Sequence, residues 1–255
     1  MPVRSTNPFE DINARVDTSK NAYIRRILDA QKEKTLPLAF GSAIKPFVGN
    51  WRQSIASFFG NSAPVLQPRL IVEIGCHYGH TLVDMASDHP DALFLGVDIT
   101  YKRVVSTAER IVDAGLKNVF VILANAKGLG DLFSPGEVDG FVTFFPDPWT
   151  KKKQAHNRLY SSEFCATVKE ALSGDGFLWL KTDEKTYFEN ACDHVAQAKF
   201  FETQALPVLG QKDYSSAFMR RFDKQQRPWQ GRKWLKSNRI FLDSGCDIMG
   251  TRVVQ

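Results

Sequence analysis

The chain of 255 residues has the composition of a globular protein with a sizeable core, since 43% of its residues are hydrophobic and 24% are charged. Its cysteines form no CxxC pair, which argues against a zinc site or a disulfide framework: Cys76, Cys165, Cys192 and Cys246. No apolar run reaches membrane-spanning length, and the N-terminus has no signal-peptide core. We therefore expect a cytoplasmic protein that uses neither a metal nor a membrane.

The net charge of +5 is modest, but the charge is unevenly distributed. Between Arg220 and Arg239, eight basic residues accompany a single acid, and three aromatic residues are interleaved with them: Phe222, Trp229 and Trp234. Cations beside flat rings suit a phosphate backbone with exposed bases. A solvated basic face explains the same composition equally well, so the charge alone does not decide for nucleic acid.

Residues 1–67 lack the regular pattern of the rest of the chain. A helix is predicted from about Asn21 to Lys34, followed by a stretch that proline and glycine punctuate. The cluster Gly60–Pro64 is typical of a linker. We predict a mostly helical N-terminal extension over residues 1–67 and a main domain over residues 68–255 that ends in the basic segment.

From residue 69 onward, short apolar runs alternate with amphipathic ones. The predicted strands cover residues 70–74, 93–97, 119–123, 140–144 and 177–180, and the predicted helices cover residues 81–87, 102–114, 161–172 and 185–198. Continuously apolar strands that alternate with helices indicate a parallel sheet covered on both faces. The predicted fold class is α/β, with a Rossmann-like, doubly wound, mostly parallel sheet.

Three successive strand ends carry residues that suit an adenosine-containing cofactor. The first strand leads into the turn E-x-G-x-x-x-G, in which Gly75 and Gly79 permit a tight turn and close approach of a ligand. Asp98 ends the second strand, where a carboxylate can accept hydrogen bonds from two ribose hydroxyls. Asn125 and Ala126 close the third strand, where a side-chain amide can bind an adenine edge.

Two cofactors remain candidates for these strand ends, NAD(P) and S-adenosylmethionine. The first turn lacks the full G-x-G-x-x-G spacing, and a sulfonium cofactor has no pyrophosphate to place on a helix N-terminus. The carboxylate of Glu73 suits a cationic ligand better than an anionic one. These features favour S-adenosylmethionine.

Residues 144–153, with the sequence FFPDPWTKKK, follow the fourth strand directly. Two prolines bracket Asp147, so the backbone there is extended or turned and cannot continue a strand ladder. In open α/β sheets, ligands bind at this carboxyl edge. We predict that Asp147 is held there beside an aromatic plane and three ammonium groups; a solvated surface turn is the alternative.

In chain order, EIGCHYGHTL, GVDITYKR, ANA, FFPDPWTKKK and LKTD resemble the bacterial tRNA (guanine-N7)-methyltransferases over about residues 69–225. The resemblance implies the class I S-adenosylmethionine-dependent methyltransferase fold and formation of N7-methylguanine in the variable loop of tRNA. It implies a cofactor site lined by Glu73, Asp98, Asn125 and Asp147. Lys151 and Asp183 would face the RNA.

Three places depart from the family pattern. His77 stands where the family usually has a third glycine, and Gln154–Asn157 interrupt the basic run that normally follows FPDPW. A C-terminal Thr-x-Tyr/Phe-Glu motif aligns with Ser216, Phe218 and Met219, so these three are candidate substrate-binding residues. Met219 replaces a carboxylate that would accept hydrogen bonds from guanine. The departures therefore bear on which base is methylated.

The chemistry of guanine N7 suits these residues. N7 carries a lone pair and no proton, so its methylation requires positioning and a carboxylate near the developing charge rather than a general base. Asp147 is the candidate catalytic residue. Asp183 is the candidate acceptor for the guanine N1–H and amino group, with N-capping of the next helix as its structural alternative. Tyr187 is a candidate for stacking on a base or for the core.

Two other classes of function stay open at this point. One is a methyltransferase of the same fold that acts on another nucleic acid or a small substrate, which the C-terminal departures favour. The other is a catalytically inactive RNA-binding descendant, against which Asp147 and the cofactor acids count. Either a monomer or a homodimer is compatible with the sequence.

Overall fold

A computed structural model describes residues 5–11, 21–60, 68–215 and 217–237. The helices are α1 (Ala22–Glu33), α2 (Trp51–Phe58), α3 (His80–Asp88), α4 (Tyr101–Asp113), α5 (Ser162–Ala171), α6 (Lys185–Gln197) and α7 (Ala217–Lys224). The strands are β1 (Leu38–Phe40), β2 (Leu70–Ile74), β3 (Leu93–Asp98), β4 (Val119–Leu123), β5 (Val138–Phe144), β6 (Leu172–Thr182), β7 (Phe201–Thr203) and β8 (Gln230–Leu235).

These strands form one sheet in the order β1-β4-β3-β2-β5-β6-β8-β7. Every pairing from β1 to β6 is parallel, and β8 runs antiparallel to both β6 and β7. The chain moves outward from β2 through β3 to β4 and then returns to β5 on the other side of β2. This arrangement confirms the predicted doubly wound fold and places its ligand crevice at the carboxyl ends of β2 and β5.

Successive residues of a strand point to opposite sides of the sheet, and the central strands are buried along their whole length. Both faces of the sheet are therefore covered. Helices α1, α3 and α4 pack on one face, and α2, α5 and α6 pack on the other. Helix α4, for example, buries Val104, Val105, Ala108 and Ile111. Full burial of each large apolar side chain stabilises the fold by about 1.5–3 kcal/mol. The buried face of each helix is therefore apolar, and its helical spacing can be recognised in the sequence.

The predicted helices and strands of the main domain are confirmed, with small differences at their ends. Ser161 caps α5 by accepting a hydrogen bond from the Phe164 N–H at 3.2 Å. Asn21 caps α1 in the same way from the Tyr23 N–H at 3.0 Å. Strand β6 begins at Leu172, directly after α5 and earlier than predicted, because it pairs there with Val138 of β5.

The N-terminal extension shares the sheet and core of the main domain. Strand β1 pairs with β4, with Leu38 opposite Val121. Trp51 of α2 is fully buried, and its indole N–H donates to the Leu132 carbonyl at 2.7 Å. Glu137, just before β5, accepts hydrogen bonds from the Gly49 and Trp51 N–H groups at the start of α2. The described residues 38–58 therefore pack into the same sheet and core as β4 and β5.

Asp139 connects this part of the chain to the amino ends of the central strands. Its buried carboxylate accepts hydrogen bonds from Arg52 at 2.5 Å and Arg69 at 3.1 Å, from the Leu70 N–H at 2.8 Å and from the Ser173 hydroxyl at 3.0 Å. These donors come from α2, from Arg69 and the first residue of β2, and from β6. A buried charge is tolerated here because it is fully hydrogen-bonded.

The basic C-terminal segment is partly structural. Its residues 230–235 form β8, inside the sheet, and the Lys236 ammonium donates to the Leu172 carbonyl at 2.5 Å. Arg232 lies 3.5 Å from the Glu202 carboxylate. Arg239 and Cys246 lie outside the described residues. The segment is therefore not simply a solvated basic face.

Candidate cofactor and substrate site

A cavity of about 620 Å³ opens at the carboxyl ends of β2, β3, β4 and β5, where the strand order reverses. Such a crevice is the expected ligand site of an open α/β sheet. Residues that the sequence placed on four different strand ends all line it: Glu73, Gly75, Asp98, Asn125, Ala126 and Asp147.

In the turn after β2, the backbone conformation and surroundings of Gly75, His77 and Gly79 differ. Gly75 has φ +76° and faces open space, so ligand can approach its backbone closely. Gly79 does not line the cavity: a Cβ there would lie 2.5 Å from the Thr107 Cγ2, so it serves close packing of α3 on α4. His77 has φ +54°, a conformation that glycine adopts more readily than other residues.

Asp98 is oriented by the backbone around it. One carboxylate oxygen accepts from the Thr100 N–H at 2.8 Å and the other from the His77 N–H at 3.1 Å, and Arg103 lies 3.7 Å away. Burial raises the pKa of Asp98, while Arg103 and these donors lower it. The carboxylate thus forms a fixed acceptor in the cavity wall.

Glu73 is the most unusual group in the cavity. Its side chain is 4% exposed, and its Oε2 has no hydrogen-bond partner among the described residues. Burial, and to a smaller extent the nearby carboxylates of Asp98 and Asp84, raises the pKa of Glu73 to about 8. A buried acceptor without a donor is costly, and a cationic ligand would remove that cost.

The loop that carries Asp147 is held in an uncommon conformation. Phe145 and Trp149 have φ values of +53° and +41°, a region that costs a non-glycine residue of order 1–3 kcal/mol. The Phe145 N–H donates to the Lys181 carbonyl at 2.7 Å, and Arg158 donates to the Pro148 carbonyl at 3.1 Å. Asp147 is exposed at the tip between them and lines the cavity.

Asp183 lies outside the cavity lining, at the end of β6. Its carboxylate accepts a hydrogen bond from Arg227 at 2.8 Å. The capping alternative for Asp183 is wrong, because Glu184 caps α6 by accepting from the Tyr187 N–H. Tyr187 is 1% exposed and packs in the core, so it cannot stack on a base.

The other predicted substrate residues are distributed differently. Lys151 is exposed and precedes a 3-10 segment, Lys152–Asn157, next to the Asp147 loop. Met219 is 2% exposed, with its sulfur 3.5 Å from the Lys181 ammonium, and it does not line the cavity. Because the apolar side chain of Met219 is buried, it does not make the predicted contact with the substrate. Ser216 and the side chain of Phe218 lie outside the described residues.

The N-terminal segment, residues 5–11, lies against the cavity, which was not predicted from the sequence. Thr6 lines the cavity, and a Cβ on Gly128 would lie 2.0 Å from the Thr6 carbonyl oxygen. Asp11 accepts from the Ser42 N–H at 2.8 Å, and a Cβ on Gly41 would lie 2.2 Å from its carboxylate. Two glycines that permit close backbone approach were the available signal, and glycine alone does not say what approaches.

The family of the chain follows from comparison with known proteins. Residues 67–229 match a family model described as "Putative methyltransferase". The chain belongs to this family. This membership confirms the resemblance drawn from the sequence motifs, and it agrees with the sheet order and the position of the cavity.

The chain is also similar to proteins named tRNA (guanine-N(7)-)-methyltransferase. One from Geobacillus kaustophilus (strain HTA426) is 36% identical over 152 residues, which cover 60% of this chain and 66% of that protein. One from Bdellovibrio bacteriovorus (strain ATCC 15356 / DSM 50701 / NCIMB 9529 / HD100) is 32% identical over 179 residues, 68% of this chain and 83% of that protein. The match to the first relative thus covers just under two thirds of its length.

S-adenosylmethionine is the cofactor that family membership implies, and the cavity fits it. The unpartnered Glu73 oxygen suits a cationic ligand, and the open space over Gly75 leaves room for close approach. Among the residues described, no three histidine, cysteine or acidic side chains are grouped in a way that could hold a metal ion. None of the described helices combines the length and apolar character needed to cross a membrane.

Proposed function

We propose that this protein is an S-adenosylmethionine-dependent methyltransferase that forms N7-methylguanine in the variable loop of tRNA. The observation that carries the proposal is the convergence of Glu73, Asp98, Asn125 and Asp147 on one cavity at the switch point of the sheet. The names of the similar proteins and the exposed lysines Lys151, Lys152 and Lys153 after the Asp147 loop support it. Localisation in the cytoplasm stays a prediction from the sequence.

Each cavity residue has a role in holding the cofactor. Asp98, fixed by two backbone donors, is the acceptor for the ribose hydroxyls. Asn125, whose Oδ1 accepts from the Lys127 N–H, keeps its amide N–H group for the adenine edge. Glu73 balances the positive charge of the ligand in a buried site. The bound cofactor supplies an electrophilic methyl group.

Asp147 is the residue we assign to electrostatic stabilisation. Guanine N7 is a nucleophile without loss of a proton, so a base is not required, and a positive charge develops on the ring. A carboxylate held on a constrained loop can stabilise that charge without reorganising during the reaction. The left-handed residues on both sides of Asp147 and the hydrogen bonds of the loop provide this constraint.

Asp183 is the residue we assign to guanine recognition. An ionised carboxylate accepts hydrogen bonds only, and guanine offers N1–H and amino donors in one plane. Asp183 already binds a group of this kind, because the guanidinium of Arg227, 2.8 Å away, also presents coplanar N–H donors. Binding of guanine therefore requires this partly exposed ion pair to open.

A methyltransferase of the same fold with a different substrate is the second candidate. Met219 favours it, because a buried methionine occupies the position of a guanine-binding carboxylate. An inactive RNA-binding descendant is disfavoured, since a protein without catalysis has no need of the strained loop that presents Asp147.

The test is transfer of labelled methyl groups from S-adenosylmethionine to bulk tRNA lacking this modification, followed by digestion and identification of the labelled nucleoside. The proposal requires label in N7-methylguanosine, at the variable-loop position when individual tRNAs are mapped. Label in another nucleoside would establish the second candidate instead. Bound cofactor with no transfer to any tRNA would contradict the proposed activity, and the same reaction without enzyme is the background control.

A further inference from the structure

A second, smaller cavity of about 200 Å³ lies over β6, β8 and β7. In the antiparallel pairing of β6 and β8, Trp179 lies opposite Lys233 and Lys181 lies opposite Gly231. Residues directly opposite each other in such a pair share one face of the sheet. These four residues therefore form the floor of the cavity. Its walls include Trp229 and two carboxylates that each have a basic partner, Asp213 with Lys181 and Glu202 with Arg232.

One of the two lysines in this floor is compensated by the protein itself. Lys181 is 1% exposed and forms an ion pair with Asp213, and its ammonium also donates to the Tyr214 carbonyl at 2.8 Å. The rings of Trp179 and Trp229 lie 4.6 and 5.3 Å from the ammonium. Lys181 is thus a structural cation that joins the Asp213 segment to the sheet.

Lys233 is held differently. Its ammonium lies 4.5 Å from the centre of the Trp179 ring and donates a long hydrogen bond, 3.4 Å, to the Gln204 carbonyl. Within the described part of the chain, no carboxylate lies within 4 Å of it. Burial lowers the pKa of Lys233, while Asp213 raises it. A partly desolvated cation without a carboxylate partner is a site that an anion would stabilise.

We propose that this cavity binds a phosphodiester group of the RNA strand that flanks the methylated guanine, with Lys233 as its cation. The inference rests on the proposed function. Lysine is a common point-charge ligand of phosphate, and indole walls suit single-stranded nucleic acid. The cavity is smaller than the roughly 300–1,000 Å³ of a typical small-molecule site, so it fits one group of a chain that continues outside it.

The position of the cavity along β6 agrees with this assignment. Lys181 and Trp179 precede Asp183 by two and four residues, which corresponds to about 7 and 13 Å along a strand. A phosphate in the cavity would then belong to a nucleotide near the guanine at Asp183. Gly231 allows Lys181 to pack closely against β8, since a Cβ there would lie 3.2 Å from the Lys181 side chain and 3.3 Å from the Leu180 carbonyl.

The experiment compares the full-length protein with Lys233→Met, which retains the aliphatic stem over Trp179 and removes the charge. The probe is a tRNA variable-arm stem-loop, in which single phosphates near the target guanine are replaced one at a time by neutral methylphosphonates. We expect Lys233→Met to bind the unmodified RNA roughly fivefold to tenfold more weakly, with a salt slope lower by about one. One methylphosphonate should weaken the wild type similarly and leave Lys233→Met unaffected.

Two control variants and one competitor sharpen the result. Lys233→Arg should retain most of the affinity, and Lys117→Met, on an exposed lysine before β4 at the opposite edge of the sheet, should behave as the wild type. Inorganic phosphate should compete with RNA only in proteins with a cation at position 233, which would support phosphate binding at Lys233. Equal salt slopes for wild type and Lys233→Met, or additive effects at every methylphosphonate position, would overturn the proposal.

These measurements are of binding, so they separate the subsite from the proposed activity. A wild type that binds the stem-loop but transfers no methyl group to it refutes the activity, while the loss at Lys233→Met still supports a phosphate site. Normal methyl transfer together with an unchanged Lys233→Met variant refutes the subsite alone.

Discussion

Glu73→Gln should change the pH dependence of stability, because the native carboxyl group is buried without a partner for Oε2. The pKa of Glu73 is about 8 in the folded protein, raised from an ordinary value of 4.5. Below the unfolded pKa, Glu73 is protonated in both the folded and the unfolded state, and stability is highest. Above it, ionisation of the unfolded chain favours unfolding. The wild type should therefore lose stability as the pH rises from about 4.5 toward 8, and the loss should level off above that range.

The size of the effect follows from the same shift. Between these limits the unfolded chain ionises at Glu73 and the folded chain does not, which costs roughly 1.4 kcal/mol per pH unit, or about 3 kcal/mol at pH 7. Glutamine does not titrate, so the stability of Glu73→Gln relative to the wild type should rise across this window. Urea unfolding of both proteins at pH 5, 6, 7 and 8, without cofactor, measures the difference.

Cofactor binding should favour the wild type over Glu73→Gln. A cationic ligand favours the ionised carboxylate, so S-adenosylmethionine should release a proton from the wild type at pH 7, and calorimetry in buffers of different ionisation enthalpy measures it. Glu73→Gln should release none there and bind roughly tenfold to a hundredfold more weakly, since a charge-assisted hydrogen bond contributes about 1.5–3 kcal/mol. A stability difference that is the same at pH 5 and pH 8, with no proton release, would refute this account of Glu73.

Four further changes test the remaining assignments. Asp98→Ala should weaken S-adenosylmethionine binding by roughly tenfold or more through lost charge-assisted hydrogen bonds; an unchanged calorimetric affinity would remove Asp98 from the site. Asp147→Asn should leave the fold and RNA binding intact and lower the single-turnover rate of methyl transfer by about 10²–10³, whereas a rate within a few fold of wild type would reduce Asp147 to a turn residue. Replacing Lys151, Lys152 and Lys153 together with alanine should weaken tRNA binding and flatten its salt dependence by about one slope unit per lost contact, with cofactor affinity unchanged; wild-type binding at several salt concentrations would mark them as solvated surface. Gly128→Ala should displace residues 5–11 from the cavity, because its Cβ would lie 2.0 Å from the Thr6 carbonyl, and protease cleavage within that segment should then become faster than in a Gly174→Ala control, whose added Cβ meets no atom within 4 Å.

The sequence by itself determined the central sheet and one side of the cavity. The apolar runs at residues 70–74 and 119–123 are buried along their whole length, so each strand is readable from its own residues. Glu73, Asp98 and Asn125 stand at the ends of such strands, and parallel strands bring their carboxyl ends to one edge. Local pattern and topology together were sufficient for these positions.

Tertiary structure decided what depends on partners distant in the chain. Strands β1 and β7 have three residues each and become strands only by pairing with β4 and β8. Whether Asp183 or Glu184 caps α6 depends on Arg227, 44 residues later, which binds Asp183. Lys181 follows a predicted strand, and nothing in the local sequence indicates the three aromatic rings and Asp213 that enclose it. Burial and hydrogen bonding of a polar side chain are set by neighbours in space, and the linear sequence does not state which neighbours those are.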